Sequence, residues 1–311
     1  MKKTVKAVKP FIYNNNSNFK LAVYEEWKGS GSLVASERPL EKYYQSLSYH
    51  LDLPTLRQGH EARLRFVEGA SLRFDTFPDY LTHEVIPVVW DCWPRYVENM
   101  ARWFKKHHVR TAFFTASQTA EQMRKLCPNV NIFHLPEAIE TNLYHAGKPL
   151  AERSTDYLEF GRCSQILNSS AFDKGINILS SRNENSGLRT REQLINALAD
   201  SKITLALTRQ DNQPELAEGV DTLTQRYWEC MLSGIVILGR APQELIDIVG
   251  YNPVISVDLP NAESQIKDIL AHITDYQSLV DKNRKSALEN GDWSLRIRNI
   301  KERLLSLDYE V

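Results

Sequence analysis

The sequence predicts an α/β fold built from two Rossmann-like domains, on three observations. Its 311 residues exceed the usual span of one core and favour two domains of roughly 150 residues each. In both halves short aliphatic runs of strand length alternate with longer segments of helical periodicity. Several of these runs stop at a turn residue, as Glu84 to Trp90 does at Asp91 and Tyr157 to Phe160 does at Gly161.

Composition narrows the class. Apolar residues at 42% and charged residues at 25% are ordinary globular values and exclude a disordered or collagen-like chain. A net charge of -1 offers no electrostatic attraction to nucleic acid, so no nucleic-acid partner is expected. Cys92, Cys127, Cys163 and Cys230 are scattered without a C-x-x-C pair and read as reduced thiols of a cytoplasmic protein. The basic start Met1-Lys2-Lys3 is followed by an apolar segment broken by Lys9, Pro10 and Asn14 to Asn16, unlike a signal peptide. No apolar stretch approaches the ~20 residues of a membrane-spanning helix.

In the first domain, assigned to residues 1–148, six segments read as strand-like, beginning with Val5 to Tyr13 and Leu21 to Trp27. Gly29-Ser30-Gly31-Ser32 lacks the third glycine of a phosphate loop and reads as a turn. Tyr43, Tyr44, Leu47 and Leu51 have helical spacing between Glu37 and Leu53, and Arg63 to Val67 is a short strand. Glu84 to Trp90 is the clearest strand, and Pro94 opens a helix carrying Tyr96, Val97, Met100, Trp103 and Phe104 on one face. Val109 to Thr115 is a strand, Ser117 caps a helix to Leu126, and Val130 to Leu135 closes the set.

The second domain, residues 149–290, follows a polar crossing from Glu140 to Ser154. Its strands are Tyr157 to Phe160, Ile176 to Leu179 and Ile203 to Leu207, with a helix from Thr190 to Ala199. A polar loop, Thr208 to Val220, is long for a connection inside a compact domain. Beyond Gly239 come a helix capped near Pro242, a strand at Val254 to Val257 and two helices. Residues 291–311 form a separate amphipathic helix from Trp293 to Leu307.

Between loop and strand lies Asp221-Thr222-Leu223-Thr224-Gln225-Arg226-Tyr227-Trp228-Glu229-Cys230-Met231-Leu232-Ser233-Gly234-Ile235-Val236-Ile237-Leu238-Gly239. It reads as a helix with hydroxyls at its entrance, a Gly234 stop and a buried strand. Glu229 is an acid inside an apolar helix, which is costly unless something binds it. The bland alternative has Asp221 capping the helix and Glu229 pairing with Arg226. At the strand ends, Asp91 is placed either to reach a ligand or to cap the helix after Pro94.

Two acids separated by seven residues, followed by small residues, a glycine and an aliphatic strand, resemble the donor-binding signature of the retaining group 1 glycosyltransferases. Asp221 stands where that family usually has Glu, and Glu229 stands for the second acid. Phe160-Gly161-Arg162 resembles the strand that opens the family's donor domain, and Lys174-Gly175 its Lys-Gly pair. The resemblance covers roughly residues 84–300.

It implies a GT-B fold, with two Rossmann-like domains facing a central cleft and a C-terminal helix packing back toward the first. It further implies transfer of a sugar from a nucleotide diphosphate sugar, the donor substrate, to an acceptor hydroxyl, with neither cofactor nor metal. Glu229 would accept hydrogen bonds from the ribose hydroxyls. The backbone at Leu223 and Thr224, the Thr222 and Thr224 hydroxyls, and Arg162, Lys174 and Arg226 would meet the diphosphate. Asp221 would face the sugar, and an inverting enzyme would draw its base from Asp91, with His60 a poor second.

The acceptor would be a sugar, lipid-linked or protein hydroxyl. For a lipid-linked one, Arg102, Lys105, Lys106, His107 and His108 with Trp103 and Phe104 would form a peripheral membrane surface. A non-catalytic nucleotide-sugar binder and a nucleotide-sugar epimerase are the alternatives on the same scaffold.

Overall fold

The computed structural model describes residues 2–11, 18–36, 53–56, 59–161, 166–167, 169–172, 174–183 and 187–311. Eleven strands lie among them: β1 Lys3–Ala7, β2 Glu61–Glu68, β3 Glu84–Trp90, β4 Thr111–Phe114, β5 Asn131–His134, β6 Thr155–Glu159, β7 Ile178–Ser180, β8 Ser201–Ala206, β9 Val236–Gly239, β10 Ile255–Ser256 and β11 Tyr309–Glu310. They form two wholly parallel sheets, ordered β11-β1-β2-β3-β4-β5 and β10-β9-β8-β6-β7. The chain divides into two compact units, Met1–Glu137 with Trp293–Val311, and Ala138–Asp292.

Parallel strands are covered on both faces, which explains their near-continuous apolar runs. In the first unit, Val67, Val89, Ala112 and Phe114 pack beneath the helices Pro94–Lys106 and Ser117–Leu126 through Val97, Met100, Phe104, Ala120 and Met123. The helix Asn18–Gly29 packs against the C-terminal helix Trp293–Ser306, and Trp293 meets Trp90 edge-on at 5.9 Å. The C-terminal helix therefore belongs to the first unit, and β11 then joins β1 at the edge of the sheet. The two-residue β11 carries no sequence periodicity. Its anchor is Tyr309, whose hydroxyl donates to the fully buried Glu84, itself paired with Lys3 at 2.5 Å.

Sequence and structure differ in details with local causes. Leu21 to Trp27 lies inside a helix, and Gly29-Ser30-Gly31-Ser32 is the turn that ends it, with Ser30 N donating to Glu26 O. Ser117 begins its helix without capping it, since Ala116 holds the cap position and no side chain bonds there. The helical spacing from Tyr43 to Leu51 lies outside the described residues. The long polar loop contains two short helices, Arg209–Asn212 and Pro214–Ala217.

In the second unit, side chains alternate across the sheet as strand geometry requires. Leu158, Ala206 and Ile237 pack on one face with the helix Gln225–Ser233, while Tyr157, Ile203, Leu205, Val236 and Leu238 pack on the other with the helix Ala262–Ala271. Arg153, only 4% exposed, donates to the carbonyls of Ala146, Lys148, Ser201 and Ser233, tying an entry loop to β8 and to the end of the Gln225–Ser233 helix. The helix Arg191–Ala199 starts on a capping box between Thr190 and Gln193.

Candidate functional site

The second sheet reverses direction between β6 and β8: the chain leaves β6 outward to β7, then returns to the opposite side of β6. Ligands of open α/β sheets gather beyond the carboxyl ends of strands at such a switch point. Phe160-Gly161 follows β6 there. Gly161 has φ +64, and a Cβ on it would stand 1.9 Å from the Arg226 guanidinium, so both backbone and space demand glycine. Arg226 lies over the Phe160 ring, 4.9 Å from its centroid. Arg162 is outside the described residues, and Lys174 sits in an exposed turn before β7.

Arg226 is in the first turn of the helix Gln225–Ser233, whose cap residue Thr224 makes no side-chain capping bond and whose first turn holds no acid. The helix thus presents a positive dipole end with a guanidinium beside it, an arrangement suited to an anion. Gly234, at φ +63, ends the helix and turns the chain into β9.

The donors expected from Thr222 and Leu223 are already engaged. The Thr222 hydroxyl and the Leu223 backbone N–H both donate to Oε2 of Glu244, at 2.9 and 2.8 Å. Glu244 is buried in the first turn of the helix Gln243–Val249 and fixes the loop before the site.

Asp221, expected to face the sugar, instead accepts both prongs of Arg240, at 2.7 and 2.9 Å, and does not cap the helix. Arg240 also donates twice to Asp211 at 2.9 Å, and hydrogen bonds to the two carboxylates hold its guanidinium above its ordinary range. Asp211 takes the Thr208 backbone N–H, so one arginine clamps the polar loop to the end of β9.

Glu229 occupies the next turn of the helix and is half-buried rather than enclosed. Its Oε1 accepts the Tyr144 hydroxyl at 3.0 Å, so the pairing with Arg226 weighed from sequence is replaced by a phenol from the entry loop. Among the described residues, Oε2 accepts no hydrogen bond. A half-buried carboxylate with one oxygen held and one open is a receptor for a hydroxyl donor.

No family model matches the chain, and no curated protein matches it in sequence. Its structure is similar to that of HepE from Anabaena in complex with UDP and glucose, at a TM-score of 0.62 and 8% identity over 98% of this chain and 100% of that one. It is also similar to a sucrose-phosphate synthase from Thermosynechococcus elongatus, at 0.61 and 8% over 98% and 99%. A third neighbour is AviGT4, a glycosyltransferase involved in avilamycin A biosynthesis, at 0.55 and 11% over 98% of each chain. The chain has the GT-B fold. Its second unit is the GT-B half that carries Glu229 and Arg226, and its first the half that carries Asp91.

In that first half Asp91 is exposed directly after β3, at φ +47, and the next helix takes Trp93 as its cap residue. Asp91 is therefore not the cap. His60 precedes β2 and stands at the amino edge of the sheet, opposite the carboxyl edge where Asp91 lies. The basic surface weighed for membrane contact loses its aromatic members: Phe104 and His107 are buried, and Trp103 packs on Tyr80 and His107. Arg102, Lys105, Lys106 and His108 stay exposed. No helix among the described residues is long and apolar enough to cross a membrane. No group of three or more His, Cys, Asp or Glu side chains placed to hold a metal occurs among them.

Sequence reading missed Arg240, Asp211, Glu244 and Tyr144. Arg240 directly follows β9, and strand-end position alone would have flagged it. Tyr144 lies in a segment without periodicity, 85 positions from its partner.

Proposed function

We propose that this chain is a glycosyltransferase that binds a nucleoside diphosphate sugar on its second unit and transfers the sugar to an acceptor hydroxyl. The observation that carries the reading is Glu229, a half-buried carboxylate with one oxygen held by Tyr144 and the other, among the described residues, open. A ribose offers two vicinal hydroxyls to such a group. Arg226 and the N-terminus of the Gln225–Ser233 helix supply positive charge for the diphosphate, and Arg162 and Lys174 are the further cations the sequence offers, so the reading needs no metal. The crystallised complexes of the similar HepE with UDP-glucose and with UDP and glucose support a uridine diphosphate sugar as the first donor to try.

In this reading the anomeric configuration is retained and the departing phosphate accepts the acceptor's proton. Asp91 is the side chain of the first unit assigned to the acceptor, which is a sugar, lipid-linked or protein hydroxyl. Asp221 acts indirectly, holding Arg240 and the polar loop.

The engagement of Asp221 favours one second reading, a nucleotide-sugar binder on the same scaffold without transfer. Incubation with a panel of nucleoside diphosphate sugars and sugar acceptors separates the two. Glycosylated product with release of nucleoside diphosphate is expected. Saturable binding with no product supports the second reading, and no binding of any donor contradicts both.

A further inference from the structure

We propose that Tyr144 is a positioning residue that presets Glu229 for the ribose of the donor, with Arg191 and Glu140 bracing it. The inference rests on the nucleotide-sugar reading above and adds to it the group that makes the carboxylate selective. Tyr144 is 5% exposed, belongs to the core cluster that holds Leu158, Phe160 and Trp228, and its hydroxyl donates to Glu229. Burial, and then the neighbouring Glu229 carboxylate, push the phenol well above its ordinary range, so it remains a donor at neutral pH.

The consequence is geometric. A glutamate alone on a helix surface samples several rotamers, and a ligand that selects one meets an entropic cost. The Tyr144 hydroxyl holds Oε1 at 3.0 Å, and among the described residues Oε2 accepts no hydrogen bond. The ring is itself held, with the Arg191 guanidinium 6.0 Å from its centroid and bonded to Glu140 at 2.6 Å. Hydroxyl recognition by a preset carboxylate discriminates strongly against a ligand lacking the hydroxyl, because the acceptor is then left unpaired.

The test is calorimetric titration of UDP and of its 2′,3′-dideoxy analogue into the wild type, Tyr144→Phe, Arg191→Met and Glu229→Gln, each checked for folding by circular dichroism. The wild type is expected to prefer UDP by roughly 10-fold or more, and Tyr144→Phe to lose about 5- to 10-fold in UDP affinity. Affinity for the dideoxy analogue stays constant in Tyr144→Phe, so the discrimination collapses, an outcome that a general loosening of the site would not produce.

Arg191→Met, on the other side of the ring, is expected to lose about threefold for UDP alone. It keeps the proposal testable should Tyr144→Phe not fold. Wild-type discrimination in Tyr144→Phe, or in Arg191→Met where that is the folded variant, overturns the proposal even if Glu229→Gln abolishes it, and the nucleotide-sugar reading then stands alone. Unchanged UDP affinity in Glu229→Gln overturns both.

Discussion

Asp221 and Glu229 belong to one stretch of chain and to one sequence signature, yet their surroundings are opposite. Both oxygens of Asp221 are taken by a forked arginine that a second acid, Asp211, holds from the other side. Glu229 has one oxygen taken by a neutral phenol and the other, among the described residues, open. A closed ion pair organises a loop, whereas an open carboxylate awaits a donor. In the proposed function the difference gives the first acid an architectural part and the second a part in recognition, although sequence spacing treats them alike.

The sharpest way to break this contrast is to remove the clamp. Arg240→Met leaves Asp211 and Asp221 facing each other without their shared cation, and it is expected to cost about 2 kcal/mol by urea denaturation. That figure is reduced for the solvent around a side chain 42% exposed. Full stability with abolished nucleotide binding would instead move Arg240 into the ligand site. Asp221→Asn keeps the Asp211 half of the clamp and should cost about 1 kcal/mol or less, while changing UDP affinity under about threefold. A larger loss of affinity would return Asp221 to the sugar.

A third acid calibrates the pair. Glu61 is bound on both sides, by Lys6 and by Arg63 at 2.7 Å, but is only partly buried, and those hydrogen bonds hold its carboxyl down to about 2 from an ordinary 4.5. A depressed folded-state value means that its stabilising contribution is complete above pH 4.5 and is lost as the pH falls toward 2. Comparing wild type with Glu61→Gln by thermal melting at pH 5 and pH 3 should show the wild type losing more of its stability on acidification. Equal losses would mean that a partly exposed pair of this kind contributes nothing measurable.

Much of the fold was legible because parallel strands and covering helices write their burial into periodicity. The strand from Glu84 to Trp90, the Pro94 helix start and the Gly234 stop all reappear in the structure. The misses have a common physical cause: a contact between distant residues leaves no local pattern. Tyr309 anchors a two-residue strand through Glu84, 225 positions away, and no window of sequence contains both. In the second unit the position after a strand singled out Gly161, and an acid inside an apolar helix singled out Glu229; in the first unit the strand-end rule singled out Asp91. Glu244 and Tyr144 act through partners 21 to 85 residues distant, so their roles emerge only from the folded chain, whereas Arg240 has a strand-end position to flag it but no local sign of its two acids.

The account depends on the open oxygen of Glu229 receiving a ribose hydroxyl, and one measurement addresses this directly. UDP titrated by calorimetry into Glu229→Ala, with the wild type alongside and both shown folded, should bind the variant roughly 10- to 100-fold more weakly, the loss expected when a charged acceptor is removed. Equal affinity in a folded Glu229→Ala would contradict the account.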